Sequence, residues 1–175
     1  MRRMLMIATT AAMIEQFNKN NILILEKLGY EVHVIGNFED GNPISEERIS
    51  QFKKWLKAHH AMWFHVSMMR QPLNIKNIKV YEQVVMLIRK YEYDFIHCHT
   101  PVGAVIARCA AHETNTKVIY TAHGFHFFQG APIKNWLFFY PVEWLCSWWT
   151  DVLITINSED YKRALKHFHM KKLKQ

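Results

Sequence analysis

Short apolar runs alternate with longer stretches of helical periodicity along this chain. The short runs have the β-branched and apolar composition of strands that a parallel sheet buries on both faces, and they span residues 4–9, 31–35, 63–67, 94–99, 117–122 and 151–156. Apolar positions recur every three or four residues over 14–28, 46–59, 75–92 and 102–112, and Ser158 begins another such stretch. Strands separated by helices predict an α/β fold with a doubly wound, mostly parallel sheet.

The composition predicts one domain over residues 1–175. Half of the residues are apolar, which suffices for a substantial core, and no internal repeat or low-complexity tract interrupts them. The first twelve residues imitate a signal peptide, but their apolar stretch is short and leads into a predicted amphipathic helix. No run reaches the roughly 18 apolar residues of a membrane span.

The positive charge is concentrated near the end of the chain. The formal net charge is +7, yet residues 162–175 hold six of the 22 lysines and arginines and none of the 15 acidic residues. Because the rest is nearly neutral, we expect no nucleic-acid partner. The basic end is either a solvated final helix or a segment attracted to anionic lipid.

Three cysteines, Cys98, Cys109 and Cys146, lie far apart in the sequence in apolar surroundings. They form no CxxC pair of the kind that zinc sites and redox motifs use. We therefore expect reduced structural thiols and a cytoplasmic protein.

The loop after the fifth predicted strand carries the strongest candidate chemistry, because His123, Gly124 and His126 directly follow residues 117–122. Ligands of open α/β sheets bind at the carboxyl ends of the strands, and a glycine allows a positive φ and a close backbone approach. His123 is the candidate catalytic residue, with Gly124 and His126 as candidate substrate-binding residues. The alternative is that His123 only caps loop carbonyls.

Two more loops end predicted strands at the same edge. Thr9, Thr10 and Ala11 precede the first predicted helix, where free N–H groups and the helix dipole suit a diphosphate. This loop has no glycine, so a purely structural role is the alternative. His99 and Thr100 end the fourth strand, and all five residues are candidate substrate-binding residues.

Six segments together resemble one known family. They are residues 13–18 (MIEQFN), 28–34 (LGYEVHV), 94–101 (DFIHCHTP), 120–127 (YTAHGFHF), 130–136 (GAPIKNW) and 150–157 (TDVLITIN). The chain resembles the N-terminal, Rossmann-like half of family 4 glycosyltransferases of the GT-B fold, of the subgroup that builds bacterial capsular polysaccharides and exopolysaccharides. The similarity extends over nearly all of the chain.

This resemblance implies a retaining, metal-independent enzyme that uses a nucleotide sugar and no other cofactor. It implies that this half forms the acceptor side of a cleft and that the histidine of the Ala-His-Gly motif, here His123, contacts a donor-sugar hydroxyl. The implied acceptor is a lipid-linked saccharide, which would place the protein in the cytoplasm, peripherally at the inner face of the cell membrane.

The family's paired acidic motif and its other donor-binding residues have no counterpart in this sequence. The C-terminal donor-binding domain is therefore expected to be missing, and catalysis by this chain alone is not expected. The alternative function is that of a truncated, non-catalytic domain with a lipid-binding or partner-binding role.

The histidines also permit a third function, a metal-dependent hydrolase that uses His97, His99 and His123. His97 and His99 lie two apart on one predicted strand and therefore point to one face. No carboxylate follows them at ligand-like spacing, so we predict no bound metal.

An aromatic segment spans residues 136–149 and is too rich in aromatic side chains for an ordinary surface helix. Pro141 and Glu143 argue against a buried membrane span. Such segments often lie in a membrane interface, and a membrane-facing surface is one interpretation. The other is packing within the core or against a partner half.

Overall fold

Seven strands form one fully parallel sheet in the computed structural model, which describes residues 2–39 and 41–175. In chain order they are β1 (Arg2–Thr10), β2 (Tyr30–Asn37), β3 (Met62–His65), β4 (Phe95–His99), β5 (Lys117–Ala122), β6 (Val152–Thr155) and β7 (Lys172–Lys174). Across the sheet their order is β3-β2-β1-β4-β5-β6-β7. The chain builds outwards from β1 in one direction and from β4 in the other, so the topological switch point lies between β1 and β4. Ligands of open α/β sheets bind at such a point.

Helices pack on both faces of this sheet. They are α1 (Ala11–Phe17), α2 (Lys19–Lys27), α3 (Glu46–Ala58), α4 (Lys76–Tyr91), α5 (Pro101–Thr114), α6 (Ile133–Ser147) and α7 (Ser158–His167). Met4 and Met6 of β1 join one core with α1, α2 and α3, whereas Leu5 and Ile7 join the other, larger core with α4 and α5. Side chains alternate between the faces of a strand, and β1 is therefore buried on both sides. The doubly wound parallel fold predicted from the sequence is confirmed.

The single helix predicted over residues 14–28 is wrong, because the structure has two helices there. Asn18 separates α1 from α2 with φ −121° and ψ 2°. Its buried side chain accepts a hydrogen bond from Asn21 Nδ2 at 2.9 Å. Asparagine forms such local bonds in competition with regular helix, and the periodicity of the apolar positions does not report them.

The sequence prediction did not include two elements near the end of the chain, β7 and α6. The basic segment is not one final helix, because α7 ends at His167 and β7 follows it as an edge strand, with Leu153 of β6 beside Leu173. The aromatic segment lies largely within α6, with Pro141 inside the helix. The third strand ends at His65 rather than at residue 67. Within the described residues, no helix is both long and apolar enough to cross a bilayer.

Candidate functional site

The ends of β1 and β4 are joined at the switch point by two threonines. Thr9 N–H donates to Thr100 Oγ1 at 2.9 Å, and the two hydroxyl oxygens lie 2.8 Å apart. The Thr100 hydroxyl donates in turn to the His99 carbonyl. Thr100 has φ 64°, which is rare and strained for a β-branched residue. The surrounding hydrogen bonds hold it there, so the two loops form one unit.

Glycines of neighbouring elements allow the backbone to pack closely around the Thr9–Ala11 loop, which itself contains no glycine. A Cβ on Gly103 of α5 would lie 2.9 Å from Thr100 Oγ1 and 3.1 Å from Thr9 N. A Cβ on Gly36 of β2 would lie 3.0 Å from the Ala8 carbonyl oxygen. The close approach here is thus between α5 or β2 and the end of β1, and the Thr9–Ala11 loop needs no glycine of its own for it.

A cavity of about 320 Å³ opens beside this unit. Three threonines and His126 give it a polar side, and Phe139 and Val102 give it an apolar side; its described lining consists of Thr9, Thr10, Met13, Gln16, Pro43, Arg70, Pro72, Thr100, Pro101, Val102, His126 and Phe139. Arg70 is the single permanently charged group among these described residues. Hydroxyls with one guanidinium and no carboxylate favour a hydroxyl-rich or anionic ligand.

Three of the candidate histidines form a cluster beside the cavity. His99 Nδ1 lies 3.2 Å from His123 Nε2, and the rings of His97 and His99 are 4.3 Å apart. His97 Nε2 is 2.8 Å from Thr121 Oγ1. Burial lowers the pKa of His97 to about 4 and that of His99 to about 2, and it also lowers the pKa of His123. All three rings are therefore neutral at pH 7, and a neutral ring can donate from one nitrogen and accept at the other.

The loop that carries His123 is held in place by the start of α7. Gly124 has φ 114°, a conformation that favours glycine. Phe125 N–H then donates to the buried Asp160 carboxylate at 3.1 Å, and Gln129 N–H donates to Glu159 at 2.9 Å. These contacts fix a loop whose His123 and His126 are exposed.

The candidate diphosphate site at the first helix already has protein partners for two of its amides. Thr9 N–H donates to Thr100, and Ala12 N–H donates to Asn42 Oδ1 at 3.1 Å. The helix α1 that follows has only seven residues. The role of the Thr9–Ala11 loop toward a diphosphate stays a prediction.

Not all predicted site residues reach the cavity. Thr9, Thr10, Thr100 and His126 line it, whereas His123, a member of the histidine cluster, and Gly124 lie at the surface. The side chains of Ala11 and His99 are buried, with 0% and 1% exposure. His99 ends β4 as predicted, and its buried ring contacts that of His123; its role in substrate binding stays a prediction.

Sequence reasoning missed Arg70 and Phe139, which also line the cavity. Arg70 lies in an irregular segment between β3 and α4, and Phe139 belongs to α6. No strand end marks either residue in the sequence.

The metal-site alternative lacks a third ligand. Within residues 2–39 and 41–175, no three His, Cys, Asp or Glu side chains come together in a way that could hold a metal ion. His99 and His123 point at each other, and His97 is bonded to Thr121. Metal independence stays a prediction.

Two sequence matches each cover most of the chain. Residues 19–174 match the model of the family described as Glycosyltransferase Family 4. EpsD of Bacillus subtilis (strain 168), which is named as a glycosyltransferase, is 43% identical over 166 residues, a match that covers 93% of this chain and 40% of EpsD.

Solved structures share the fold at low identity. A glycosyltransferase from Rickettsia africae ESF-5 has a TM-score of 0.65 at 15% identity, over 99% of this chain and 42% of that one. Alr3699/HepE of Anabaena, solved with UDP and glucose, has a TM-score of 0.60 at 16% identity, over 100% and 43%. A Listeria monocytogenes protein named as a UDP-N-acetylglucosamine 2-epimerase has a TM-score of 0.65 at 12% identity, over 94% and 42%.

The structural likeness at such identities shows the fold alone, and proteins named as transferases and as an epimerase share that fold. The chain spans less than half the length of each of these relatives. The family model, in contrast, matches most of the chain, and EpsD, which is named as a glycosyltransferase, is similar in sequence over nearly all of it. This chain belongs to glycosyltransferase family 4.

Proposed function

We propose that the chain is the acceptor-side domain of a retaining glycosyltransferase in the synthesis of a capsular polysaccharide or exopolysaccharide. The reaction moves a sugar from a nucleotide sugar to a lipid-linked saccharide. One observation carries this proposal: the cavity at the switch point combines the Thr9 and Thr100 hydroxyls with Arg70 and adjoins the neutral His99–His123 pair. In a saccharide attached to a phosphate, the sugar hydroxyls can hydrogen-bond to the threonine hydroxyls and the phosphate can pair with the one cation, Arg70.

The roles divide between this domain and a donor-binding domain. In sugar transfer from a nucleotide sugar, positive charge develops on the sugar ring and negative charge on the leaving diphosphate. Preorganised groups that match developing charge provide most of such catalysis. Those that neutralise the diphosphate belong to the donor domain in this proposal, so we expect residues 1–175 by themselves to be inactive.

His123 is the proposed catalytic residue. Its Nε2 faces His99 Nδ1 at 3.2 Å, so the buried His99 fixes the orientation of the exposed His123 ring. A neutral, oriented imidazole can donate a hydrogen bond to a hydroxyl of the donor sugar or accept one from it. Because the ring is neutral, it places no further positive charge beside the positive charge that develops on the sugar. No metal takes part in this proposal.

A chimera tests the role of His123. Residues 1–175 are joined to the part of Bacillus subtilis EpsD that this chain does not cover, and release of UDP or another nucleotide is measured with a panel of nucleotide sugars. His123→Ala should lower transfer by about 10²-fold or more, with an unchanged thermal transition. His112→Ala is the matched control, because His112 is exposed at the far end of α5 and stacks on Trp149. Equal activity of His123→Ala and the parent rejects the role.

The surface of α6 supports a location at the membrane. Ile133, Leu137, Trp144 and Trp148 form one stripe and are exposed by 77%, 72%, 40% and 55%. A helix that is apolar all round needs cover on its outer face. The Trp148 ring stacks on that of His169 at 3.9 Å, which joins this stripe to the basic end of the chain. A lipid surface of negative charge suits both features.

Flotation with vesicles tests this location. The chain should float with phosphatidylglycerol vesicles, and less so at high salt, because salt screens the lysines. Leu137→Ser with Trp148→Ser should reduce flotation even at low salt, whereas Met86→Ser, at an exposed position of α4, should not. A parent that never floats refutes the membrane location.

The alternative, a non-catalytic domain that binds lipid or a partner, is favoured by the same exposed stripe. Flotation together with an inactive chimera would select it over the enzyme.

A further inference from the structure

An apolar groove extends from the cavity along α5 and α6. It has a volume of about 200 Å³, and the residues that line it beyond the cavity are Leu73, Asn77, Val105, Ile106, Phe138, Val142 and Glu143. Four residues line both spaces, namely Pro72, Pro101, Val102 and Phe139. The groove therefore lies directly beside the polar cavity that holds Arg70.

The two polar side chains of the groove are fully engaged by protein partners. Asn77 Oδ1 accepts from Met69 N–H at 3.0 Å, and its Nδ2 donates to the carbonyls of Met69 and Gln71. Glu143 accepts from Arg108 Nη1 at 2.8 Å and from the Tyr120 hydroxyl. A ligand in this groove consequently meets hydrocarbon surface, and a polar ligand would lose its water without replacement.

The outer end of the groove lies at the exposed side of α6. Leu73 and Phe138 are exposed by 79% and 51%. Both also border a shallow extension with Lys134 and Asn135. From Arg70 in the cavity the lining thus becomes apolar along the groove, and Lys134 and Asn135 lie beyond its outer end. A charged group followed by hydrocarbon is the order of groups in a phosphorylated lipid.

We propose that this apolar groove binds the hydrocarbon chain of the acceptor lipid, at the units next to its phosphate, while Arg70 pairs with the phosphate. This inference rests on the proposed function, which supplies the lipid-linked acceptor. Arg70 donates from Nη2 to the Gly41 carbonyl at 2.9 Å, and a guanidinium has further N–H groups for phosphate oxygens. The volume of about 200 Å³ is below the roughly 300–1,000 Å³ of ordinary ligand pockets, which suits a narrow chain better than a helix.

Titration with alkyl phosphates tests the groove. Butyl, hexyl and octyl phosphate are titrated into the chain by calorimetry, each below the concentration at which it forms micelles. In the parent, affinity should rise about fourfold for each added CH₂ that becomes buried. Leu73→Ser with Phe138→Ser should abolish this increase, and Val105→Phe should do so by filling the groove. Ile24→Ser, at an exposed position of α2 on the other face of the sheet, is the control and should keep the increase.

Several outcomes would overturn the proposal. They are an affinity that does not depend on chain length in the parent, an unchanged dependence in the double serine variant, and equal binding of octyl glucoside or of dihexanoylphosphatidylglycerol. Octyl glucoside would indicate a general apolar surface, and the phospholipid would indicate bulk membrane lipid. Arg70→Ala should weaken all three alkyl phosphates by the same factor. The titration involves no donor sugar and no turnover, so its failure refutes the groove alone, whereas absent transfer in the chimera refutes the proposed function.

Discussion

The buried ion pair between α5 and α6 offers a quantitative test of how the groove is built. Arg108 and Glu143 have side-chain exposures of 1% and 8%. Arg108 Nη1 donates to Glu143 Oε2 at 2.8 Å, its Nε donates to the Ala104 carbonyl at 3.1 Å, and its guanidinium lies 4.3 Å from the centre of the Tyr120 ring. This pair connects α6 to α5 and to β5 inside the apolar core.

Removing one partner leaves the other charge buried without compensation. Arg108→Met should therefore lower the free energy of unfolding by about 3–5 kcal/mol. Replacing both partners, as Arg108→Met with Glu143→Leu, should cost far less than the sum of the single substitutions and can stabilise the protein by about 1–4 kcal/mol. Arg89→Met, which breaks the exposed pair with Glu113, should cost less than about 1 kcal/mol.

Urea unfolding, followed by tryptophan fluorescence and by circular dichroism at neutral pH, measures these values. A double-mutant cycle then isolates the coupling between the two side chains. A cost below about 1 kcal/mol for Arg108→Met, or additive costs in the double variant, would refute the reasoning, since neither result fits a desolvated and mutually compensating pair.

Three further predictions concern the candidate site. Gly103→Ala should destabilise the protein by about 1–3 kcal/mol by overpacking, because its Cβ would lie 3.1 Å from Thr9 N; an unchanged urea midpoint would contradict this. His97 and His99 have pKa values near 4 and 2 in the folded protein, below the unfolded value of about 6.5. The contribution of the two neutral rings to the free energy of unfolding should thus be fully present above about pH 6.5. It should fall as the pH drops below that value, by up to about 1.4 kcal/mol per pH unit for each ring. Urea midpoints between about pH 7 and 5 will measure this fall, and a midpoint that does not change with pH would exclude it. Elemental analysis of purified protein should find no stoichiometric zinc, manganese or iron, and one tightly held metal per chain would reverse that expectation.

The sequence by itself determined six of the seven strands and their parallel arrangement. The runs at residues 4–8 and 118–122 are apolar or β-branched at every position, as expected of strands buried on both faces, and the helical periods between the strands require crossovers. It also identified the loop of His123 and Gly124, because a strand that ends in a glycine-containing loop is visible locally. These features depend on neighbours a few residues away.

Tertiary structure alone decided which groups meet. Arg70 and Phe139 line the cavity only because the segment after β3 and helix α6 come together over the ends of β1 and β4. The burial of Glu143 is not visible in the local sequence, and it is possible because Arg108, 35 residues away in sequence, pairs with it. The edge strand β7 likewise exists because β6 offers it a free row of backbone groups. Pairings of this kind join distant residues through charge, shape and hydrogen bonding, and no local period in the chain encodes them.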